Sequence, residues 1–452
     1  MRGRPRGLIL LLAAALLLPN AAAAQSKPQL DVRFGAVEAW MAPREAAALK
    51  VGWDRLLIDW HLYQPTSPED WTPPPADEQR VNEAVAAGRE MVMLLRGTPP
   101  WATDGPPYAS PPRGLLLDPE NPGNLWATFI RKLVKHYEGR VSRFIIWNEP
   151  DIARDEYGAQ FYGTIQEYYR MVKVAYLVAR QTNPNAKIHL AGLTYWHDVV
   201  FGRRPFLRRY LELVSNDPTA RDNNFYFDVA TLHIYFRTET VLELVTLHRQ
   251  ILQEFGLSDH ALWLNETNAA PADDPKVPWE NAFFKLTMEE QAAFIVQSFA
   301  LALAAGAERA SVYKLAEINP IIPGADYNGL YRPDGSARPA VEAFRTITTH
   351  FAGLRAATYV QRPSHYIVTL QRDGWVTRVA WARARQSASL RLEPTPGATS
   401  VTLFDHFGKR RAMQWDRDRN YKLTLPAALC ADPNFGCVVS GAPLLIVEKI
   451  RR

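Results

Sequence analysis

Residues 143–151 read Arg-Phe-Ile-Ile-Trp-Asn-Glu-Pro-Asp, an apolar run that stops on an amide, a carboxylate and a proline. The apolar part is typical of a strand covered on both faces, as in a parallel sheet, and Pro150 lacks the N–H that would continue the ladder. Asn148 and Glu149 therefore lie at the carboxyl end of a strand. In a (β/α)₈ barrel that end faces the substrate, so Glu149 is a catalytic candidate. Helix capping or solvation at the strand end is the alternative role for this carboxylate.

Strand-like runs alternate with segments of helical period along residues 27–350, which predicts a parallel sheet with helices outside it. One helical segment carries Leu125, Phe129, Leu133 and Tyr137 on a single apolar stripe. Eight strands with helical returns favour an α/β fold of the (β/α)₈ TIM barrel type. The eight predicted strands are Leu30–Val37, Asp54–Asp59, Met91–Leu95, Arg143–Trp147, Lys187–Leu193, Phe227–Ile234, Ala261–Leu264 and Ala310–Leu315.

The pattern changes after Arg338–His350, which we interpret as the last barrel helix. Short strand-like runs separated by turns predict a C-terminal all-β, sandwich-like domain over residues 353–452. We expect this domain to be a structural partner of the barrel. Its predicted strands are Tyr366–Leu370, Trp375–Trp381, Ser387–Leu392, Ser400–Phe404, Lys422–Leu425 and Leu444–Val447.

The first 24 residues have the pattern of a secretory signal peptide: three arginines, an apolar run over Leu8–Leu18, and small residues at Ala21–Ala24. Loss of the three arginines lowers the formal net charge from +5 to +2, so charge gives no argument for a nucleic-acid partner. The apolar run is short for a membrane span. We therefore expect a secreted or periplasmic protein with no membrane span once the signal is removed.

The chain contains two cysteines, Cys430 and Cys437. In an exported protein this pair is expected to form a disulfide that stabilises the fold by about 2–3 kcal/mol and lies remote from the chemistry. Two free thiols are the alternative. No further cysteine and no nearby histidine cluster completes a four-ligand metal site, so we expect no metal there.

A second carboxylate ends the predicted seventh strand, because residues 264–268 read Leu-Asn-Glu-Thr-Asn. Glu149 and Glu266 are distant in sequence, but the strands of one barrel direct their carboxyl ends to the same mouth. Two carboxyls about 5 Å apart suit a retaining glycosidase, whereas about 6.5–9.5 Å suits an inverting one. The usual phosphate, dinucleotide, zinc-protease and serine-hydrolase motifs are absent from the sequence, and we expect no cofactor.

Trp-Asn-Glu-Pro at residues 147–150, together with Asn-Glu at residues 265–266, resembles the retaining glycoside hydrolases of clan A. Thr-Pro-Pro-Trp-Ala at residues 98–102 makes the resemblance closest to family 39. The resemblance covers the predicted barrel and implies an O-glycoside hydrolase that acts on oligo- or polysaccharide by double displacement. It implies that Glu149 is the general acid/base and that Glu266 is the nucleophile.

The same resemblance implies substrate-site roles for other polar residues. Asn148 would hydrogen-bond the sugar 2-hydroxyl, and Arg55 would keep the nucleophile ionised. His233 and Tyr235 would lie near the two carboxylates, with Tyr235 touching the nucleophile. An ion pair of Arg55 with another carboxylate inside the barrel, and ordinary polar packing of His233 and Tyr235, are the alternatives.

The eighth strand departs from the family pattern, in which a tryptophan is usual late in the strand; this chain has Tyr313 and Lys314 there. Tyr313 is the candidate substitute, and Trp60 and Trp101 are further candidates because aromatic faces suit sugar rings. We hypothesise that Lys314 contacts an acidic or polar substituent of the substrate. An internal ion pair, for example with Glu317, or an outward-facing solvated lysine is the alternative.

Two competing functions remain, and only the second uses the same catalytic residues. One is a non-catalytic glycan-binding protein on a barrel scaffold, which the presence of both glutamates argues against. The other is a transglycosylase, in which a sugar instead of water accepts the glycosyl group.

Overall fold

The computed structural model describes residues 30–277, 282–317 and 327–451. The predicted signal peptide lies outside these residues. Within the described ranges, no helix is both long enough and apolar enough to cross a membrane.

Eight parallel strands form a closed barrel in sequence order, which confirms the predicted TIM barrel. The first strand is shorter than predicted because the chain turns at residues 31–33, where the Asp31 side chain accepts the backbone N–H of Arg33. The seventh strand is longer than predicted and includes Glu266. The strands are β1 Phe34–Ala36, β2 Trp53–Asp59, β3 Glu90–Arg96, β4 Arg143–Ile146, β5 Lys187–Leu193, β6 Val229–Ile234, β7 Ala261–Thr267 and β8 Arg309–Val312.

Helices surround the barrel strands. The helices Ile165–Thr182 and Met288–Ala304 each begin with a capping box, formed by Thr164 with Glu167 and by Thr287 with Glu290, which satisfies N–H groups at the first turn. The helices are α1 Pro43–Ala48, α2 Trp60–Tyr63, α3 Pro75–Ala86, α4 Leu125–His136, α5 Ile165–Thr182, α6 Trp196–Val200, α7 Phe206–Val214, α8 Thr238–Glu254, α9 Met288–Ala304 and α10 Ala340–His350.

Side chains fill the barrel interior below its carboxyl-end mouth. Trp53 and Trp263 pack with their ring centroids 5.1 Å apart, in a cluster with aliphatic side chains of β3, β4 and β6. Arg143 and Arg309 both pair with Glu90 and lie over the Trp263 ring. These side chains close the amino end of the barrel interior. A substrate therefore has access from the opposite, carboxyl end.

After α10 the chain forms two antiparallel sheets, in agreement with the predicted all-β domain. One sheet has the order β14-β13-β17-β11-β10-β9 and the other β12-β16-β15. Strand β9 was missed because most of its residues are exposed, which leaves no alternating apolar pattern. The strands are β9 Leu354–Gln361, β10 His365–Arg372, β11 Trp375–Ala382, β12 Ala388–Leu392, β13 Ala398–Asp405, β14 Arg410–Arg411, β15 Gln414–Trp415, β16 Tyr421–Leu425 and β17 Leu444–Ile450.

Helix α9 joins the barrel to the all-β part. Every residue from Glu290 to Leu303 is buried, although a helix on the outside of a barrel normally has a solvated face. The Gln297 side chain donates to the carbonyls of Ser440 and Gly441, at 3.1 and 2.9 Å. The all-β part thus covers the outer face of α9, which explains why this helix is mostly apolar on all sides.

The two sheets are linked by the buried carboxylate of Glu448 on β17. It accepts hydrogen bonds from the Arg378 guanidinium of β11 at 2.8 Å and from the Tyr421 hydroxyl of β16 at 2.7 Å. The backbone N–H of Thr395 also donates to it, at 2.8 Å. Because one carboxylate has partners on both sheets, its loss leaves several buried donors unpaired.

We expect Glu448→Ala to lower the free energy of unfolding by about 3–5 kcal/mol, because it leaves the Arg378 charge buried and unpaired. Urea denaturation followed by circular dichroism measures this. Lys449→Ala, at the exposed neighbouring position, is the matched control and should change stability by less than about 0.5 kcal/mol. Equal effects of the two substitutions would show that Glu448 does not link the sheets.

Candidate active site

Glu149, His233 and Glu266 converge at the carboxyl end of the barrel. One carboxylate oxygen of each glutamate and one imidazole nitrogen all lie within 4.8 Å of one another. His233 lies opposite Glu266 in the register of β6 and β7. Two carboxylate oxygens within 4.8 Å of each other leave less room than the separation of about 6.5–9.5 Å that admits an attacking water, and they favour the separation of about 5–5.5 Å typical of retaining enzymes.

The backbone after β4 leaves the strand in an unusual conformation. Trp147 has a φ of 67° and Glu149 a φ of 48°, a left-handed region that costs about 1–2 kcal/mol for a residue with a side chain. The Trp147 ring is buried against Phe161, and its indole N–H donates to the Gln160 carbonyl at 3.0 Å. This packing stabilises the turn that directs Glu149 toward the mouth of the barrel.

The Glu149 carboxylate has two hydrogen-bond partners. His233 Nδ1 lies 2.7 Å from Oε1, and the Gln160 amide donates to Oε2 at 3.2 Å. The Gln160 oxygen in turn accepts from the Asn148 amide at 3.2 Å. Gln160 was not identified from the sequence, because it lies in the loop between β4 and α5, outside any motif.

The Glu266 carboxylate is surrounded by groups that favour its ionised form. Arg55 on β2 forms a buried ion pair with it, and the Tyr235 hydroxyl donates to it. Burial by itself would raise the pKa of Glu266, but the charges of Arg55 and His233 and the Tyr235 hydrogen bond outweigh it and hold the pKa below its usual value. Burial and the Glu266 charge raise the pKa of Tyr235 well above its usual value, so the hydroxyl remains a donor.

Neighbouring backbone limits where His233 can lie. The imidazole is buried, and its Nε2 lies 3.5 Å from the side-chain nitrogen Nδ2 of Asn265. A Cβ added at Gly192 of β5 would lie 1.9 Å from Nε2. Glycine at position 192 therefore makes room for the imidazole between the two carboxylates.

The two glutamates open into a cleft of about 700 Å³. Asn148 is part of its wall, and its Oδ1 atom is buried with no hydrogen-bond partner among the described residues. An unpaired acceptor beside Glu149 is suited to bind a ligand hydroxyl. Polar lining residues include Glu38, Arg55, Arg96, Tyr235, Asn268, Tyr313 and Asn328, and aromatic ones include Tyr157, Trp196, Phe283 and Phe284.

Trp60 and Trp101 do not line this cleft. Trp60 is fully buried, stacks on Phe129 with ring centroids 4.8 Å apart, and donates to the Gln64 side chain. Trp101 lies edge-on to Trp60 and donates to the Gln64 carbonyl at 2.8 Å. The prediction that Trp60 binds sugar is wrong, because its ring is a core side chain between β2 and α4. Trp101, in the segment after β3, packs against the same ring.

Lys314 forms the internal ion pair that was the alternative to substrate contact. It is buried, with Nζ 3.2 Å from Glu38 Oε2 and 3.8 Å from Glu317 Oε2. Two carboxylates neutralise the ammonium group, so it offers no free charge to an acidic substituent. Tyr313 does line the cleft, edge-on to Tyr235 with ring centroids 5.9 Å apart.

Glu149, His233 and Glu266 are also donor types that bind metal ions. In this structure, however, a guanidinium already pairs with Glu266, and Glu149 accepts from the Gln160 amide. A metal ion would lie beside the positive charge of Arg55 and would displace these partners. The hydrogen bonds and the ion pair that are present thus occupy the positions that a metal ion would need.

No family model and no curated protein sequence matches the chain. Solved structures match it over nearly its whole length. A family 39 glycoside hydrolase from Bacteroides cellulosilyticus has a TM-score of 0.69 and 15% identity, over 93% of this chain and 81% of that one. A family 30 endoxylanase from Clostridium papyrosolvens has a TM-score of 0.59 and 14% identity, over 94% and 98%.

A monomeric β-xylosidase from Caulobacter crescentus has a TM-score of 0.58 and 13% identity, over 94% of this chain and 97% of that one. This chain shares the fold of these glycoside hydrolases. The resemblance inferred from the two Asn-Glu segments is therefore confirmed at the level of the fold.

We expect Arg55→Met to shift the acidic limb of the pH–rate profile to higher pH. Arg55 lowers the pKa of Glu266, so without its charge Glu266 takes up a proton at a higher pH and activity is lost earlier as the pH falls. kcat/KM at neutral pH should fall by the order of 10²-fold.

The matched control is Arg96→Met, because Arg96 lines the same cleft but pairs with Asp59 at 2.9 Å. Its acidic limb should remain at the wild-type pH, whatever happens to KM. An unshifted acidic limb in Arg55→Met would mean that Arg55 does not control the ionisation of the active carboxylate.

Proposed function

We propose that the protein is a retaining O-glycoside hydrolase that uses Glu266 as its nucleophile and Glu149 as its general acid/base. The observation that carries this proposal is the short distance between two carboxylates with unlike surroundings. Glu266 has a buried guanidinium and a phenol as partners, whereas Glu149 pairs with no arginine or lysine among the described residues. One site is thus built for a permanent anion and the other for a group that gains and loses a proton.

In the first step a Glu266 oxygen attacks the anomeric carbon and forms a C–O bond to it. The bond between the anomeric carbon and the glycosidic oxygen breaks, and its electron pair goes to the leaving oxygen, which takes the proton of Glu149. Asn148 Oδ1, which is unpaired and beside Glu149, accepts the sugar 2-hydroxyl. This hydrogen bond strengthens as positive charge develops on the ring.

In the second step water attacks the anomeric carbon from the side that the leaving group vacated. Glu149, now ionised, takes a proton from that water, and the bond to Glu266 breaks with its electron pair returning to the carboxylate. Each step inverts the configuration at the anomeric carbon, so the two steps together retain it. The Gln160 amide, 3.2 Å from Glu149 Oε2, holds the carboxyl in position in both protonation states.

The substrate we infer is a neutral glycan. Arg55, Arg96 and Lys314 each pair with a carboxylate, so the described wall of the cleft presents no free cation for a uronic acid. Its carboxylates and amides are hydrogen-bonding groups that suit sugar hydroxyls. The endoxylanase and β-xylosidase that share the fold make β-xylosides, and oligosaccharides of xylose or glucose, the first substrates to test.

We further propose that the protein is exported, on the basis of the signal-like residues 1–24. Cys430 and Cys437 are bridged, as is usual for proteins of oxidising compartments.

A non-catalytic glycan-binding role would not need Arg55 and Tyr235 beside Glu266, since these groups stabilise a nucleophile. Product analysis at high sugar concentration distinguishes hydrolysis from transglycosylation.

We expect Glu149→Ala and Glu266→Ala to lose activity at different points of the reaction. Without Glu149, an aryl glycoside with a good leaving group still forms the covalent intermediate, and added azide attacks it to give a glycosyl azide of retained configuration. On substrates with poor leaving groups kcat should fall by about 10²–10⁴-fold. Without Glu266 no intermediate forms, so azide should give no retained product. Nuclear magnetic resonance of the products measures the configuration.

Glu120→Ala, which removes an exposed carboxylate paired with Arg131, is the control and should keep wild-type kinetics. An inverted first product from the wild-type enzyme would overturn the retaining assignment.

A further inference from the structure

Five aromatic rings form a continuous cluster at one side of the cleft. Trp196 packs against Phe236 with ring centroids 6.5 Å apart, and Phe236 against Phe284 at 5.2 Å. Phe283 and Phe435 complete it, 5.3 Å from each other, with Phe435 also 5.1 Å from Phe284. The rings come from α6, from the end of β6, from the connection between β7 and α9, and from the loop between β16 and β17. We call this set the aromatic wall.

Two members of the aromatic wall are exposed within the cleft that holds the catalytic pair. Trp196 is 52% exposed and Phe283 is 62% exposed, and both line the cleft. Phe284 also lines the cleft but is half-buried, and Phe236 and Phe435 are half-buried rings that pack against it. Large apolar rings exposed beside polar lining residues suit a ligand with apolar and hydroxylated faces, as a sugar ring has. Because the wall is continuous with the cleft of Glu149 and Glu266, the ligand that fits it is the next part of the same glycan.

The disulfide loop of the all-β part fixes one end of the aromatic wall. The Cys430–Cys437 bridge closes the loop that carries Phe435. The buried Asp432 carboxylate accepts N–H groups from Phe435 at 2.8 Å and from Lys285 at 2.7 Å, two residues after Phe283. The Arg237 guanidinium donates to the Phe435 carbonyl at 3.1 Å. The disulfide itself does not line the cleft, but Phe435 of its loop packs against Phe283 and Phe284, which do.

The other end of the aromatic wall is tied to the catalytic turn. Asp151, two residues after Glu149, is buried and accepts the backbone N–H groups of Thr194 and Tyr195, at 2.8 and 3.1 Å. It also accepts the Thr194 hydroxyl at 2.8 Å. Trp196 follows directly in the chain, so its position is coupled to that of Glu149. Both ends of the wall are thus held by buried carboxylates.

We propose that Trp196 and Phe283 form a sugar-binding subsite beyond the catalytic pair, and that the disulfide loop supports it through Phe435. This inference deepens the proposed glycosidase function and rests on it. It assigns the enzyme a preference for oligosaccharides over single-sugar glycosides. It also gives the all-β part a role in substrate binding, because its loop supplies the Phe435 ring that packs against both Phe283 and Phe284.

The test compares kcat/KM on aryl β-xyloside and β-glucoside with kcat/KM on xylo- and cello-oligosaccharides of two to six units. Trp196→Ala and Phe283→Ala should lower kcat/KM on the hexasaccharide by about tenfold, the effect of losing one apolar contact face. Their kcat/KM on the aryl glycosides should remain within about twofold of wild type, since those substrates end before the wall. Phe283→Leu, which keeps apolar volume but no flat face, should show the same selective loss without risk to folding.

A double Cys430→Ala, Cys437→Ala variant and Phe435→Ala test the role of the loop and should reproduce the selective loss. Trp415→Ala is the matched control, because Trp415 is 50% exposed in β15 and contacts Tyr421 instead of the cleft; its chain-length dependence should be that of wild type. Calorimetric titration of Glu149→Gln with xylohexaose and cellohexaose measures binding without turnover. Adding Trp196→Ala to that variant should raise Kd by about tenfold.

A loss of equal size on aryl glycosides and hexasaccharides would overturn the subsite, as would unchanged Kd in the Trp196→Ala titration. Selective loss in the Trp196 and Phe283 variants with wild-type behaviour of both loop variants would overturn the supporting role of the disulfide loop. If the wild-type enzyme hydrolyses none of the substrates, the proposed glycosidase function fails. The titration still decides the subsite in that case, since it needs no turnover.

Discussion

The ion pair between Arg55 and Glu266 is the interaction on which the rest of the site depends. Both side chains are almost fully buried, and taking two charges out of water costs several kcal/mol per ion unless further partners compensate. The compensation comes from His233 of β6 and from Tyr235, which directly follows that strand. Since Glu266 belongs to β7 and Arg55 to β2, the whole arrangement draws on three strands. A closed barrel is a fold that brings these strand ends within reach of one carboxylate. The chemistry that we propose requires the anion that this arrangement maintains.

Glu149 lies in a contrasting environment only a few ångströms away. Its partners are an imidazole and an amide, and the backbone that presents it adopts left-handed conformations at two positions. Such strain persists where the surrounding packing determines the conformation, and it is frequent at functional sites. Here the buried Trp147 ring supplies the packing. The same turn continues into Asp151, which connects Glu149, the proposed acid/base, to the loop that carries Trp196.

Much of the fold could be predicted from the sequence because parallel barrel strands are continuous apolar runs. The ends that carry Asn148, Glu149 and Glu266 were identified for the same reason, since polar residues interrupt those runs. Exposed strands such as Leu354–Gln361 gave no such signal. Aromatic residues were ambiguous: Trp60 and Trp196 are equally apolar in sequence, but only the three-dimensional packing buries the first and leaves the second in the cleft.

Pairings between distant loops were beyond the reach of sequence patterns. The Gln160 amide contacts Glu149 from an irregular loop, and Lys314 is neutralised by Glu38 from the opposite end of the barrel sequence. The contact of Phe435 with Phe283 joins two segments of different parts of the fold. In each case the chain carries an ordinary polar or aromatic residue whose role depends on a partner more than ten residues away.

The central claim is that Glu266 forms a covalent bond to the sugar, and a mechanism-based label tests it most directly. A 2,4-dinitrophenyl 2-deoxy-2-fluoro-β-xyloside or β-glucoside has a good leaving group, while the fluorine destabilises both oxocarbenium-like transition states, so the intermediate accumulates. Mass spectrometry of the intact protein should show the mass of one fluorosugar, and peptide mapping should place it on Glu266. A label on Glu149, or normal turnover of the parent glycoside with no label and an inverted product, would contradict the account.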